Sequence, residues 1–168
     1  MLFRPTKAYK SILNIPPQAL TEMGIKAVIL DVDNTLTTHN NPTPIEGIDE
    51  WLSAVKGEGI KLIIVSNNHP PRVAPFAERL GLDFVPEGRK PLPKGMKEAM
   101  KRLGVKRKET CAVGDQIFTD ILGANLSGIR SIFVQPIEFE TSFWFKVKRT
   151  LETPFRPRKF IAKNSHKS

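Results

Sequence analysis

Alternating strand-like and helix-like segments predict an α/β fold for this chain: a three-layer, Rossmann-like parallel sheet with helices on both faces. Three observations predict it. Short apolar runs end abruptly in polar residues, segments of helical period separate them, and glycine falls where those segments should stop.

The runs at 27–32, 62–65 and 111–113 read as buried parallel strands, because a strand covered on both faces shows no polar alternation. A fourth follows at 131–134, and a short one near 83–85 extends the sheet. Helical patterns occupy 48–56, where Trp51, Leu52 and Val55 share one side, and then 73–80, 94–103 and 119–126. Gly57, Gly81, Gly104 and Gly128 mark their ends. The 168 residues suit one domain with a single substantial core. Three parts are expected: a basic, amphipathic N-terminal segment packing on the core (1–26), the core itself (27–140), and a basic aromatic tail (141–168).

Composition excludes several classes. With 40% hydrophobic and 26% charged residues, wholesale disorder is ruled out. The lone Cys111 cannot close an internal disulfide and reads as buried filler, and His39, His69 and His166 with one thiol do not make a zinc set. No apolar run approaches the ~20 residues of a membrane span, and the opening MLFRPTKAYK lacks the hydrophobic stretch of a secretory signal. A cytoplasmic location is expected, with membrane contact left open. The formal net charge of +9 is concentrated in the tail, where eight Lys or Arg face one acidic residue, Glu152. Such a tail serves either as a contact for anionic partners or as a solubilising extension.

Open parallel sheets bind ligands at the carboxyl ends of their strands. Those ends read Asp31-Val32-Asp33-Asn34-Thr35, Ser66-Asn67-Asn68, and Gly114-Asp115-Gln116 with Asp120 beyond. Asp31 and Asp33 lie two apart, so a regular strand puts them on one face, where two negative charges call for a cation. Asp115, ending another strand, supplies a third oxygen, and Mg²⁺ accepts a few carboxylates together with water and substrate phosphate. Ser66, Asn67 and a lysine from the loop carrying Lys90 and Lys94 would then bind the other phosphate oxygens. A calcium loop does not fit, since its sixth and twelfth positions fall on Leu36 and Pro42 rather than glycine and glutamate. Glycine-rich nucleotide-binding signatures are missing, which disfavours an ATP-driven kinase.

Four segments in order resemble the motifs of the haloacid dehalogenase superfamily of phosphatases. They are Ile29-Leu30-Asp31-Val32-Asp33-Asn34-Thr35-Leu36, Ile63-Ile64-Val65-Ser66-Asn67-Asn68, Arg89-Lys90-Pro91, and Val113-Gly114-Asp115-Gln116-Ile117-Phe118-Thr119-Asp120. The resemblance implies that Asp31 is the nucleophile that becomes an aspartyl phosphate and that Asp33 is the general acid and base. It implies Mg²⁺ held by the Asp31 carboxylate, the Asp33 carbonyl and the Asp115 carboxylate, with Ser66, Asn67 and Lys90 on the transferring group. The proline after Lys90 favours that lysine over Lys94. Asp120 is either a partner orienting Lys90 and the metal waters or a helix-start residue, and Thr35 either orients the Asp31 loop or turns the chain. His39 and His69 are expected to be loop residues near the mouth.

Many relatives carry a cap after the first or second motif, and this chain has no room for a large one. Only positions 37 to 50 separate Leu36 from Trp51. A capless site suits a bulky substrate presented on a surface, or a small one enclosed by a neighbouring subunit of an oligomer. Short length, the missing cap and the segments Tyr9-Lys10-Ser11-Ile12 and Leu20-Thr21-Glu22-Met23-Gly24-Ile25-Lys26-Ala27 resemble the YqeG-type branch of subclass IIIA, related to phosphatidylglycerophosphate phosphatases. That resemblance implies an anionic lipid substrate and peripheral membrane contact through the basic termini. In the tail, Phe143, Trp144, Val147 and Leu151 fall on one side of a possible helix and Lys146, Lys148 and Arg149 toward the other. The helix either lies on an anionic bilayer or docks on the sheet. The competing readings are a phosphatase of soluble sugar phosphates or nucleotides, and a non-catalytic binding module. No nucleic-acid motif accompanies the basic residues.

Overall fold

The computed structural model describes residues 1–138 and 141–161. Its centre is a six-stranded sheet in the order β1-β6-β5-β2-β3-β4, with every neighbouring pair parallel. The strands are β1 (Lys7–Tyr9), β2 (Ala27–Leu30), β3 (Lys61–Val65), β4 (Asp83–Val85), β5 (Thr110–Gly114) and β6 (Arg130–Val134). Around them run α1 (Pro17–Glu22), α2 (Ile48–Gly57), α3 (Pro70–Leu80), α4 (Lys94–Leu103), α5 (Leu122–Leu126) and α6 (Phe143–Glu152).

All residues of β2 and β5 are buried, which is why those runs are unbroken by polar residues. Their side chains divide by strand period between two cores. Val28, Leu30, Leu62, Ile64, Cys111 and Val113 pack with α1, α2 and α3, while Ile29, Ile63, Val65 and Ala112 pack with Met96, Ala99 and Met100 of α4 and Ala124 of α5. Register sets Ile29 beside Ile63 on one flank and Ala112 on the other, so the ends of β2, β3 and β5 lie level. Cys111 is buried filler as expected, and burial pushes its thiol up to about 12.

The N-terminal segment does more than pack on the core. It contributes the edge strand β1, with Ala8 opposite Phe133, and buries Tyr9, Ile12 and Leu20. Three residues, Lys-Ala-Tyr, are too few to show a strand period. α3 begins at Pro70, earlier than the expected 73, because Pro70 and Pro71 occupy first-turn positions whose N–H groups need no helical partner. The helix expected over 119–126 opens with a π-turn, Ile117–Ile121, in which the Ile121 N–H reaches back to the Gln116 carbonyl. Gly81 and Gly104 end α3 and α4 in the left-handed conformation that a C-terminal cap requires. Between β2 and α2 the chain makes turns and one isolated bridge, Asp33 to Thr37, with no inserted cap.

Candidate active site

Asp31 follows the last residue of β2 and stays on the ladder, its N–H donating to the Val113 carbonyl at 3.0 Å. The chain then turns sharply, and the N–H groups of Thr35, Leu36 and Thr37 all converge on the Val32 carbonyl. Asn34 takes the left-handed conformation this turn needs, φ 58°, which asparagine tolerates better than most residues. The turn puts Thr35 Oγ1 at 3.4 Å from Asp31 Oδ2.

The ammonium of Lys90 bridges two carboxylates, lying 2.7 Å from Asp31 Oδ1 and 2.7 Å from Asp120 Oδ1. Asn67 holds the backbone there. Its Oδ1 accepts from the Lys90 N–H at 2.7 Å and its Nδ2 donates to the Lys90 carbonyl at 3.0 Å, so both ends of the amide are engaged with the lysine. The loop approaches closely because Gly95 lacks a side chain: a Cβ there would meet the Gly88 carbonyl oxygen at 2.7 Å. Lys94 is exposed at the start of α4, so Lys90 is the lysine of the cluster. Asp120 is fixed from its other oxygen by the Gln116 N–H at 3.1 Å. Ser66 is buried, and its Oγ accepts from the Asn68 N–H at 3.1 Å.

One ligand oxygen each of Asp31, Asp115 and Asp120 lie within 4.8 Å of one another. Asp115 is wholly buried and its Oδ1 has no hydrogen-bond partner, an arrangement that is costly for a carboxylate unless a cation completes it. A cluster of hard carboxylate oxygens with one orphaned member fits a hard divalent cation. The electrostatics agree. Burial, reinforced by Asp120, pushes the Asp31 carboxyl up to about 6 against the pull of Lys90. Burial also raises Asp115 well above the carboxylate range despite the Arg149 guanidinium beside it. At Lys90 burial opposes the charge, but Asp120 and Asp31 outweigh it and hold the ammonium above its usual range.

The Asp33 carboxylate belongs to an adjoining network. Its Oδ1 accepts from Arg72 Nη2 at 2.9 Å and from the Asn40 N–H at 3.1 Å, and its Oδ2 accepts from Asn68 Nδ2 at 2.6 Å. Arg72 and Asn68 were not singled out in the sequence as site residues. Asn68 sits in the second strand-end cluster, whereas nothing in the spacing of α3 distinguishes Arg72. His39 packs against Phe145 of α6, and His69 pairs with Glu87 at an exposed position.

α6 docks on this site in an unexpected orientation. Arg149 and Lys148 turn inward, toward Asp115 and Gln116 respectively, and Glu152 is wholly buried. Phe143, Trp144 and Leu151 remain exposed. Phe143, Trp144 and Leu151 thus point away from the body while Arg149 and Lys148 turn in with the half-buried Phe145, and Lys146, of the same basic set, stays exposed. Residues 162–168, including His166 and the end of the expected tail, lie outside the described residues, as do 139 and 140 at the end of the expected core.

A lysine-bridged carboxylate cluster thus lies at the carboxyl edge of a parallel sheet, where open α/β folds bind their ligands, and its three carboxylates could hold a divalent cation. Residues 38–128 match the haloacid dehalogenase-like hydrolase family, and residues 1–73 match a family described as mitochondrial PGP phosphatase. The chain is 37% identical over 150 residues to the probable phosphatase YqeG of Bacillus subtilis, covering 89% of this chain and 87% of that protein. It is 27% identical over 158 residues to phosphatidylglycerophosphate phosphatase 1 of Arabidopsis thaliana, covering 88% of this chain and 45% of the plant protein. Among solved structures, an uncharacterized protein from Listeria monocytogenes superposes with a TM-score of 0.58 at 23% identity, over 70% of this chain and 85% of that one. The chain belongs to the haloacid dehalogenase-like hydrolases.

Proposed function

We propose that this hydrolase is a Mg²⁺-dependent phosphomonoesterase that acts through an aspartyl-phosphate intermediate on phosphatidylglycerophosphate at a membrane surface. The observation that carries the chemistry is the Lys90 ammonium shared at 2.7 Å by Asp31 and Asp120 beside the orphaned Asp115 oxygen. Asp31 attacks phosphorus as the ester bond breaks, and Asp33 delivers a proton to the departing alcohol oxygen. Asp33 then takes a proton from water as the water attacks the aspartyl phosphate, releasing inorganic phosphate and restoring Asp31. Lys90 and Ser66 bind the transferring group, Asn67 and Asp120 hold Lys90 in place, and Thr35 orients Asp31. Mg²⁺, held by the Asp31 and Asp115 carboxylates and the Asp33 carbonyl, would neutralise charge on the phosphoryl oxygens.

Four observations support the lipid. The N-terminal match and the plant relative both carry the phosphatidylglycerophosphate description. Among the described residues no cap is inserted over the site. Phe143, Trp144 and Leu151 are exposed on the helix that abuts it. Arg4, Lys7, Arg158 and Lys159 line a groove between residues 1–8 and residues 154–161, and each basic residue near an anionic bilayer contributes on the order of 1 kcal/mol. No helix among the described residues is long and apolar enough to cross a membrane. Purified protein with Mg²⁺ should release phosphate from phosphatidylglycerophosphate in vesicles faster than from soluble phosphomonoesters. A clear preference for a sugar phosphate or nucleotide would defeat the lipid assignment, and an oligomer in sedimentation would then favour subunits capping one another.

A further inference from the structure

The contacts of α6 reach the catalytic cluster itself. Arg149 Nη1 donates to the Asp115 backbone carbonyl at 2.8 Å, and Nη2 donates to Asp115 Oδ2. Glu152, wholly buried, accepts from the Phe118 N–H at 3.1 Å and lies 3.4 Å from Arg149 Nη1. Lys148 donates to the Gln116 side chain. One turn of a helix outside all four motif segments therefore contacts Asp115, Gln116 and Phe118.

The division of the Asp115 oxygens is the informative feature. Arg149 takes Oδ2 together with the carbonyl of the same residue, a two-point grip that fixes the carboxylate plane against the backbone. Oδ1 is left buried and unpartnered. A guanidinium blocking the cation position would be expected on that open oxygen. Here it occupies the other one, so the two charges need not compete for one atom.

We propose that Arg149 is a positioning residue for metal binding: it holds Asp115 by Oδ2 and the carbonyl so that Oδ1 is presented to the divalent cation. The proposal rests on the metal reading given above. Partners that orient a ligating carboxylate typically alter metal affinity about 10- to 100-fold when removed. Glu152 serves the same arrangement from behind, buried against Arg149 and the Phe118 N–H.

The test is Mn²⁺ binding to the full-length, metal-free protein, followed by the electron paramagnetic resonance of free Mn²⁺, with circular dichroism and thermal unfolding checking each fold. Arg149→Met should weaken Mn²⁺ binding about 10-fold or more. Arg149→Lys, which keeps the charge but cannot span two oxygens, should fall between that variant and the parent. Lys148→Met, which cuts a different tie of the same helix, should leave Mn²⁺ affinity unchanged. Unchanged or tighter binding in Arg149→Met overturns the proposal, and so does an equal loss in Lys148→Met, which would trace the effect to helix docking alone. If Arg149→Met does not fold, Arg149→Lys decides, and unchanged affinity there is equally fatal. A parent protein that binds no Mn²⁺ brings down the metal reading and this proposal together, whereas binding that ignores Arg149 removes the proposal only.

Discussion

Lys90 and Asp120 form an ion pair at 2.7 Å with side chains only 4% and 3% exposed. A pair this secluded contributes little net stability while intact but is costly to break, because the surviving charge has no water to turn to. Lys90→Met strands two carboxylates, Asp31 and Asp120, rather than one. The variant should lose turnover and about 3–5 kcal/mol of stability at neutral pH in urea unfolding. Protonation of the Asp31 carboxyl, which burial already raises to about 6, should relieve part of that loss near pH 5. A variant as stable as the parent at pH 7.5 would show that the lysine is not compensating buried charge.

Asp31→Asn removes the oxygen proposed to attack phosphorus while preserving shape, so phosphatase turnover should vanish and the fold persist. The same variant reports on pH. In the metal-free protein the Asp31 carboxyl sits near 6 instead of its ordinary 3.8, so the folded state binds that proton more tightly than the unfolded state does. The stabilisation is complete below about pH 4 and is lost as pH rises toward 6, a change on the order of 3 kcal/mol from this one group. Asp115, shifted in the same direction, extends the decline. Thermal unfolding of the metal-free parent should therefore show a downward contribution over this range that is smaller in Asp31→Asn. Parallel profiles for the two proteins would contradict the raised value.

Gly114 ends β5 against the Asp120 side chain. A Cβ at this position would stand 2.3 Å from Asp120 Cγ, closer than any real contact, so even a methyl group must displace that carboxylate. Gly114→Ala should cost about 1–3 kcal/mol and lower kcat more than 10-fold by releasing Lys90. Its φ is not in the left-handed region, which makes crowding the sole cause. Near-parental kcat would mean that Asp120 is dispensable for holding the lysine.

These predictions draw unequally on the sequence. The strand-end positions of Asp31 and Asp115 were legible because strands buried on both faces lack polar residues until they end, and the ligand edge of a parallel sheet is where they end. Lys90, by contrast, was set above Lys94 by the resemblance of Arg89-Lys90-Pro91, and Asp120 stayed open between a partner of Lys90 and a helix start. Asn67 was legible as a strand-end polar residue, but its grip on the Lys90 backbone depends on how two loops meet across 23 positions of chain. β1 was too short to show a period, and Arg149 carried a misleading one. On a helical wheel it lies opposite Phe143 and Trp144, a pattern that says which residues share a face and not which face turns inward. The partner that decides, Asp115, lies 34 positions away. Arg72 was hidden for the same reason, with 39 positions between it and Asp33.

The role of Asp33 can be separated from mere electrostatics by the leaving group. An alcohol departs poorly unless protonated, whereas p-nitrophenolate departs unaided, so the two steps assigned to Asp33 respond differently to the substrate. Asp33→Asn removes the acid and base and loosens the contact with Arg72 while keeping an oxygen within reach of Asn68. With an alkyl phosphate, the first step should slow by about 10²–10⁴. With p-nitrophenyl phosphate, transfer to Asp31 should proceed while hydrolysis of the aspartyl phosphate stalls, because no base remains to activate water. The expected signature is a burst of p-nitrophenolate stoichiometric with enzyme, followed by a slow steady state and a phosphorylated protein visible by mass spectrometry. Equal slowing of both substrates with no burst would show that Asp33 acts as a fixed charge, steadied by Arg72, and transfers no proton.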